Sequence, residues 1–181
     1  MGNNTGVIKT SKSADLITYK ILIEGEELPG TYGVMSIVVS KEVNRIPMAQ
    51  VVLVDGDASQ NDFPLSNEDM LIPGKKIEIQ AGYHSDDETI FKGMIVKHSI
   101  KVRSGASNLI IECKDEAVKM TIGRKSKYFY DSKDSDVFEE IIGTYSLDVD
   151  VEATDYSHKE LVQFNASDWD FIVSRAQANG K

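Results

Sequence analysis

Apolar and polar residues alternate with a period of two over most of the first two-thirds of the chain, which is the pattern of strands with one face turned to a core. Ile17, Tyr19, Ile21 and Ile23 alternate with Leu16, Thr18, Lys20 and Leu22. Glu24-Gly25-Glu26 turns the chain and Pro29-Gly30 has the residues of a type II turn. Val34 to Val43 and Met48 to Val54 then form a strand pair across Asn44 to Pro47. Asp55-Gly56-Asp57 ends the second strand, and Ala58 to Met70 is expected as a long acidic surface loop. After Pro73-Gly74 the alternation returns in Ile77, Ile79, Ala81 and Tyr83. It turns through His84 to Glu88 and continues from Ile90 to Val102, with Gly93 as a candidate bulge. Ser104-Gly105 leads into a strand from Asn108 to Cys113 that is expected to run on towards Met120. About six or seven strands joined by short turns, with no helix between them, predict an antiparallel barrel or sandwich rather than a parallel sheet.

From Gly123 onward the pattern changes. Lys127 to Tyr130 is a short aromatic strand, and Asp134-Ser135-Asp136 caps a helix whose Val137, Phe138, Ile141 and Ile142 face inward before Gly143 stops it. Leu147 to Val151 and His158 to Phe164 are further strands, and Ser167 caps a last helix with Asp170 three residues on in the capping-box position. Asp168 and Asp170 lie in its first turn, where the helix dipole favours negative charge, and Asn179-Gly180 ends it. At helical spacing Trp169, Ile172, Val173 and Ala176 share one face, predicted to anchor the core, while Phe171 and Ala178 lie roughly opposite and are left for another element or another chain. The expected fold class is therefore mainly β with a smaller α+β segment: an antiparallel β-barrel over residues 15–122, then strand-helix-strand-strand-helix over residues 123–181. Met1 to Ser13 has only Val7-Ile8 as an apolar pair, so residues 1–14 read as an N-terminal arm with neither the apolar core of a signal peptide nor a strand pattern.

Composition and charge narrow the partners. The 181 residues carry a net charge of -9 and an isoelectric point near 4.8, which argues against nucleic acid or an anionic membrane surface as the main partner, since both reward a basic face. No apolar run reaches the length of a membrane-spanning helix, and no stable membrane anchor is expected. The single cysteine, Cys113, rules out a disulfide within the chain.

Candidate chemistry is sparse. His84, His98 and His158 fall in a turn, a strand and a strand start without metal-ligand spacing, so surface or strand-pairing roles are preferred. Cys113 sits on an alternating strand and reads as a small buried hydrophobe. Asp148, Asp150 and Glu152 project from one face of the predicted Leu147–Val151 strand and are a candidate cation site or acid/base pair, with a solvated strand face as the preferred reading. Asp55, Asp57 and Asp62 lack the spacing of a calcium loop and read as a strand-ending turn. No phosphate loop, serine nucleophile elbow or zinc motif is present, so no catalytic, cofactor-binding or metal residue is assigned and no enzyme activity is expected.

Two stretches carry a family resemblance. Gln163-Phe164-Asn165, then Ser167-Asp168-Trp169-Asp170-Phe171 and a helix ending in Ala178-Asn179-Gly180, resemble a signature of the VgrG family, the hub and spike proteins of type VI secretion and related contractile injection systems, themselves similar to phage baseplate hubs. Val51 to Asp57, Phe63 and Leu71 to Ile79 resemble that family's first barrel, in matching order. The resemblance covers roughly residues 15 to 180. It implies the N-terminal hub part of a homotrimeric spike that joins the inner tube to a piercing tip. The partners it implies are copies of the chain, the inner tube protein, baseplate proteins and effectors. It also implies cytoplasmic assembly followed by secretion or injection through the apparatus, without a signal peptide. The chain reaches Lys181 before the second barrel, OB-like domain and spike expected of that family. Trp169, Phe171, Ile172, Phe164 and Asp168 are the residues expected to serve assembly or packing. The competing function is a carbohydrate- or cell-wall-binding module, with Trp169 as the platform for a sugar.

Overall fold

The computed structural model describes residues 17–56, 63–84, 86–103 and 106–180. The N-terminal arm, Asp57, Asp62 and the Ser104-Gly105 turn lie outside them. Seven strands form one antiparallel sheet: β1 (Ile17–Ile23), β2 (Glu26–Glu27), β3 (Val34–Ser40), β4 (Met48–Val54), β5 (Lys76–Tyr83), β6 (Asp86–Arg103) and β7 (Ala106–Lys114), in the order β2-β1-β5-β6-β7-β4-β3. The predicted pairing of β3 with β4 forms, with Ile37 opposite Val51 and Ser40 opposite Met48. Alternation puts Ile21, Ile23, Val51, Leu53, Ile77, Ile79, Phe91, Ile95, Leu109, Ile111 and Cys113 on the inner face, in one continuous apolar cluster.

Barrel closure is not achieved. Among the described residues β1 pairs with β2 and β5, and β3 with β4 only, so the two ends of the sheet do not join. The two ends instead line a groove of about 340 Å³, with Ile17 and Tyr19 on one side and Val34, Ile37 and Val39 on the other. Alternation sets which face is inward but contains nothing that forces the last strand to pair with the first.

The curvature has specific sources. The ladder shifts register between Ile79 and Gln80 and again between Ile95 and Lys97, so the bulges flank Gly93 rather than falling on it. At Gly93 the demand is for space, because a Cβ there would lie 2.2 Å from the Lys114 carbonyl oxygen. The loop after β4 also departs from expectation. Its described part folds back so that Leu65 and Leu71 are buried, and the Asp55 carboxylate accepts hydrogen bonds from Leu65 N at 3.1 Å and Ser66 N at 3.0 Å. β7 ends at Lys114, and a 3-10 turn over Glu116–Thr121, capped by the Asp115 side chain, replaces the expected run to Met120.

The remaining elements are β8 (Lys125–Lys133), α1 (Asp134–Gly143), β9 (Ser157–Ala166) and α2 (Asp168–Ala178), with β8 and β9 paired antiparallel. Their core is small: Phe129, Val137, Ile141, Leu161 and Phe171, with Phe129 and Phe171 stacked at 6.0 Å. The strand predicted at Leu147–Val151 is not formed. That stretch joins α1 to β9 without a ladder partner, and the nearby Thr154 Oγ1 accepts from Ser135 N at 3.2 Å. A period of two describes which side chains turn inward, but a strand also needs a neighbouring edge to pair with.

The helix α2 is oriented the other way round from the sequence expectation. Phe171 is buried, with 7% of its surface exposed, whereas Trp169, Ile172 and Val173 are only half-buried. Phe171 is thus the core anchor in place of Trp169 and is unavailable for self-association. Both faces carry apolar residues, so helical periodicity does not decide between them. The choice follows from the aromatic contact with Phe129 on one side and from packing of α2 against the 3-10 turn after β7.

Candidate assembly site around the last helix

The terminal stretch builds two buried carboxylate networks, and both fasten α2. In the first, Asp168 at the start of α2 is buried. It accepts hydrogen bonds from Gln163 Nε2 at 2.8 Å, Lys125 Nζ at 2.6 Å and the Tyr145 hydroxyl at 2.6 Å. Gln163 also donates to the Ala166 carbonyl at 3.1 Å, so one side chain ties the end of β9 to the start of α2. Ser167 Oγ caps the helix by accepting from Asp170 N at 3.0 Å. Burial alone raises the Asp168 carboxyl, but the bonds from Gln163, Lys125 and Tyr145 outweigh it and hold the group below its usual range. The same contacts raise Lys125, chiefly through Asp168.

The second network joins the start of α1 to the end of α2. Arg175 grips the buried Asp134 with both arms of its guanidinium, Nε to Oδ1 at 2.7 Å and Nη2 to Oδ2 at 2.8 Å. Asn179 Nδ2 donates to Oδ2 at 3.0 Å, and His158 Nε2 lies 2.9 Å from the same oxygen. Burial works against ionisation here too, yet Arg175, Asn179 and His158 together hold the Asp134 carboxyl far below the ordinary range. Asp134 was expected as a helix cap. It is instead the centre of a tertiary clamp, and the capping contact at this helix runs from Lys133 N to Asp136 at 3.3 Å.

Among the residues singled out from the sequence, Asp168 and Phe171 come together in this unit and Trp169 and Ile172 flank them. Phe164 stands apart with 79% of its surface exposed. Sequence reasoning missed Lys125, Tyr145 and Arg175. Arg175 is seven residues after Asp168, two turns along α2, but its partner Asp134 is 41 residues away in the chain and no local pattern announces it.

Other candidates resolve simply. Asp148 and Asp150 are exposed on the connection before β9. Burial, with a contribution from Glu112, pushes the Cys113 thiol up to about 12, the opposite of an activated nucleophile. Among the described residues no group of His, Cys, Asp and Glu side chains is arranged to hold a metal ion.

The fold of the chain is similar to the folds of phage tail and type VI secretion proteins. The chain superposes on a 43 kDa tail protein of a Shewanella oneidensis prophage with a TM-score of 0.64 and 7% identity, over 88% of this chain and 47% of that one. It superposes on an E. coli component of the type VI secretion system, described as similar to the T4 tail proteins gp27 and gp5, with a TM-score of 0.63 and 12% identity, over 85% of this chain and 41% of that one. A third likeness is to the Francisella PdpA-VgrG complex, with a TM-score of 0.59 and 13% identity, over 90% of this chain and 25% of that one. At these identities the likeness is one of fold, and the chain spans less than half the length of these solved structures. No curated protein matches it in sequence. A family model does: residues 13–181 match the Alg8 N-terminal domain. The chain belongs to that family.

Proposed function

We propose that the chain is a structural, non-enzymatic hub component of a contractile injection apparatus of the type VI secretion or phage-tail kind. It forms the VgrG-like N-terminal part of a spike that joins the inner tube to the piercing tip. The observation that carries this reading is the fold likeness to tail and secretion proteins across 85–91% of the chain. The two networks around α2 and the Phe129–Phe171 stack support it, because they give Gln163, Asp168, Phe171 and Asn179 of the VgrG-like stretch definite structural work, and a rigid frame is what a load-transmitting hub needs. On this reading the full-length protein is a homotrimer. Its partners are the inner tube protein, baseplate proteins and effectors, and it is assembled in the cytoplasm and then secreted or injected by the apparatus. The division into a hub-like sheet unit over residues 15–122 and an α+β unit over 123–181 belongs to the same proposal.

The test is capture of the tube protein of the same contractile system by the immobilised chain, together with electron microscopy of cells lacking the gene. Capture and loss of sheathed particles are expected. Normal particles without the gene would defeat the reading.

A further inference from the structure

The gap between β1 and β3 presents strand backbone as well as apolar side chains. The Ile21 carbonyl turns away from β5 to accept from Leu28 N at 2.7 Å. Alternation then directs the amide and carbonyl of Ile17 and Tyr19 to the same outer edge, beyond β2. Among the described residues those groups meet no backbone partner. Across the gap β3 pairs with β4 alone, so its outer edge is open as well. Ile17 is 66% exposed and Met35 58%, while Ile37 and Val39 are half-buried on the wall of the groove. The mouth is acidic. Register puts Asp86 opposite Tyr83, which faces Ile17, and Glu88 opposite Ala81, which faces Tyr19, so both carboxylates share the groove face. Both are exposed, and among the described residues neither has an ion pair. Asp87 between them turns to the other face, where Thr18 and Lys20 hold it.

We propose that this groove binds an extended segment of a partner protein, apolar at alternate positions and carrying a basic residue where it passes Asp86 and Glu88. The bound segment takes the missing place between β1 and β3. Backbone decides the class of ligand. Unpaired ladder groups on facing strand edges are satisfied by another extended backbone, whereas a helix keeps its own amides and carbonyls paired and a sugar or lipid offers none at that spacing. Side chains decide its pattern. Alternate residues of a strand point to one face, so a segment of about five residues lays about three apolar side chains over Ile17, Tyr19, Ile37 and Val39. Charge decides its sign. Two carboxylates without a cation at the mouth, on a chain of net charge -9, attract a basic segment and repel a second copy of this chain. The inference goes beyond the hub reading and does not depend on it.

The test is an NMR titration of the full chain with a synthetic peptide about nine residues long, in which valine and threonine alternate between two terminal lysines. Hydrogen exchange is read at the amides of Ile17 and Tyr19. Binding with new protection of both amides is expected. Replacing the central valine by proline, which removes a ladder donor, should weaken binding about tenfold. Exchanging the lysines for glutamates should weaken it in the same direction. Asp86→Lys with Glu88→Lys in the protein should reverse that charge preference with the melting temperature unchanged. No binding at millimolar peptide, equal affinity for the proline peptide, or binding that leaves both amides unprotected would overturn the inference. So would protection already present in the free chain. If that protection disappears with Val7→Asp and Ile8→Asp, the groove belongs to the chain's own N-terminal residues; if it grows with protein concentration alone, the edges pair between copies.

Discussion

The two units of this protein are stabilised by different means. The seven-stranded sheet buries fifteen apolar residues in one cluster and encloses two carboxylates among its described residues, that of Asp55, satisfied by two backbone amides, and that of Asp87, which meets Thr18 and Lys20. The β8–β9 unit buries far fewer apolar groups but encloses Asp134, Ser135, Gln163, Ser167 and Asp168. A small unit cannot bury enough apolar surface to fix two helices uniquely. Directional, fully partnered carboxylates supply orientation where hydrophobic area is scarce. Such networks are sensitive to losing one partner, because the remaining groups stay buried and unpaired.

The contrast is most directly broken at Asp134. Asp134→Ala leaves Arg175 without its carboxylate and should cost about 3–5 kcal/mol. Hydrogen exchange should show the loss in α1, α2 and β9 and not in β4 or β7. Phe171→Ala should cost a comparable 3–5 kcal/mol as the stacked partner of Phe129 is lost, while Trp169→Ala, at a half-buried position, should cost only about 1–2 kcal/mol in denaturant titrations.

Acid sharpens the comparison. Folding lowers the carboxyls of both Asp134 and Asp168. Their stabilising contribution is therefore complete above the unfolded value of about 3.9 and is lost as the pH falls below it towards the folded values. The β8–β9 unit should loosen first between roughly pH 4 and pH 2, seen as early loss of Tyr145 and Phe171 side-chain signals in NMR spectra. On the sheet unit Glu78 is also held low, by Thr89 and Gln80, but it lies near solvent and contributes less. At the smallest end, Asp148→Asn with Asp150→Asn should shift stability by no more than about 0.5 kcal/mol in either unit. Cys113 should resist alkylation at neutral pH until the sheet opens.

Much of this was legible in the chain because it is local. Alternation placed β1, β3, β4, β5 and β6 and put Ile21 with Ile23, and Ile77 with Ile79, each pair on one apolar strand face, since side-chain direction in a strand follows directly from position. Ser167 announced the start of α2 and Asn179-Gly180 its end, since caps satisfy backbone groups a few residues away. What only the tertiary structure decided involves partners far apart in sequence. Leu147–Val151 has a strand's alternation but no edge to pair with. β1 and β3 have strand patterns but do not meet. The choice of Phe171 over Trp169 as anchor depended on Phe129, and the roles of Asp134 and Asp168 depended on Arg175 and Lys125, each more than forty residues away. Local periodicity states which side of an element is apolar. Which of two apolar sides is covered, and which carboxylate is drawn inside, is settled only when a distant cation or ring offsets the cost of burial.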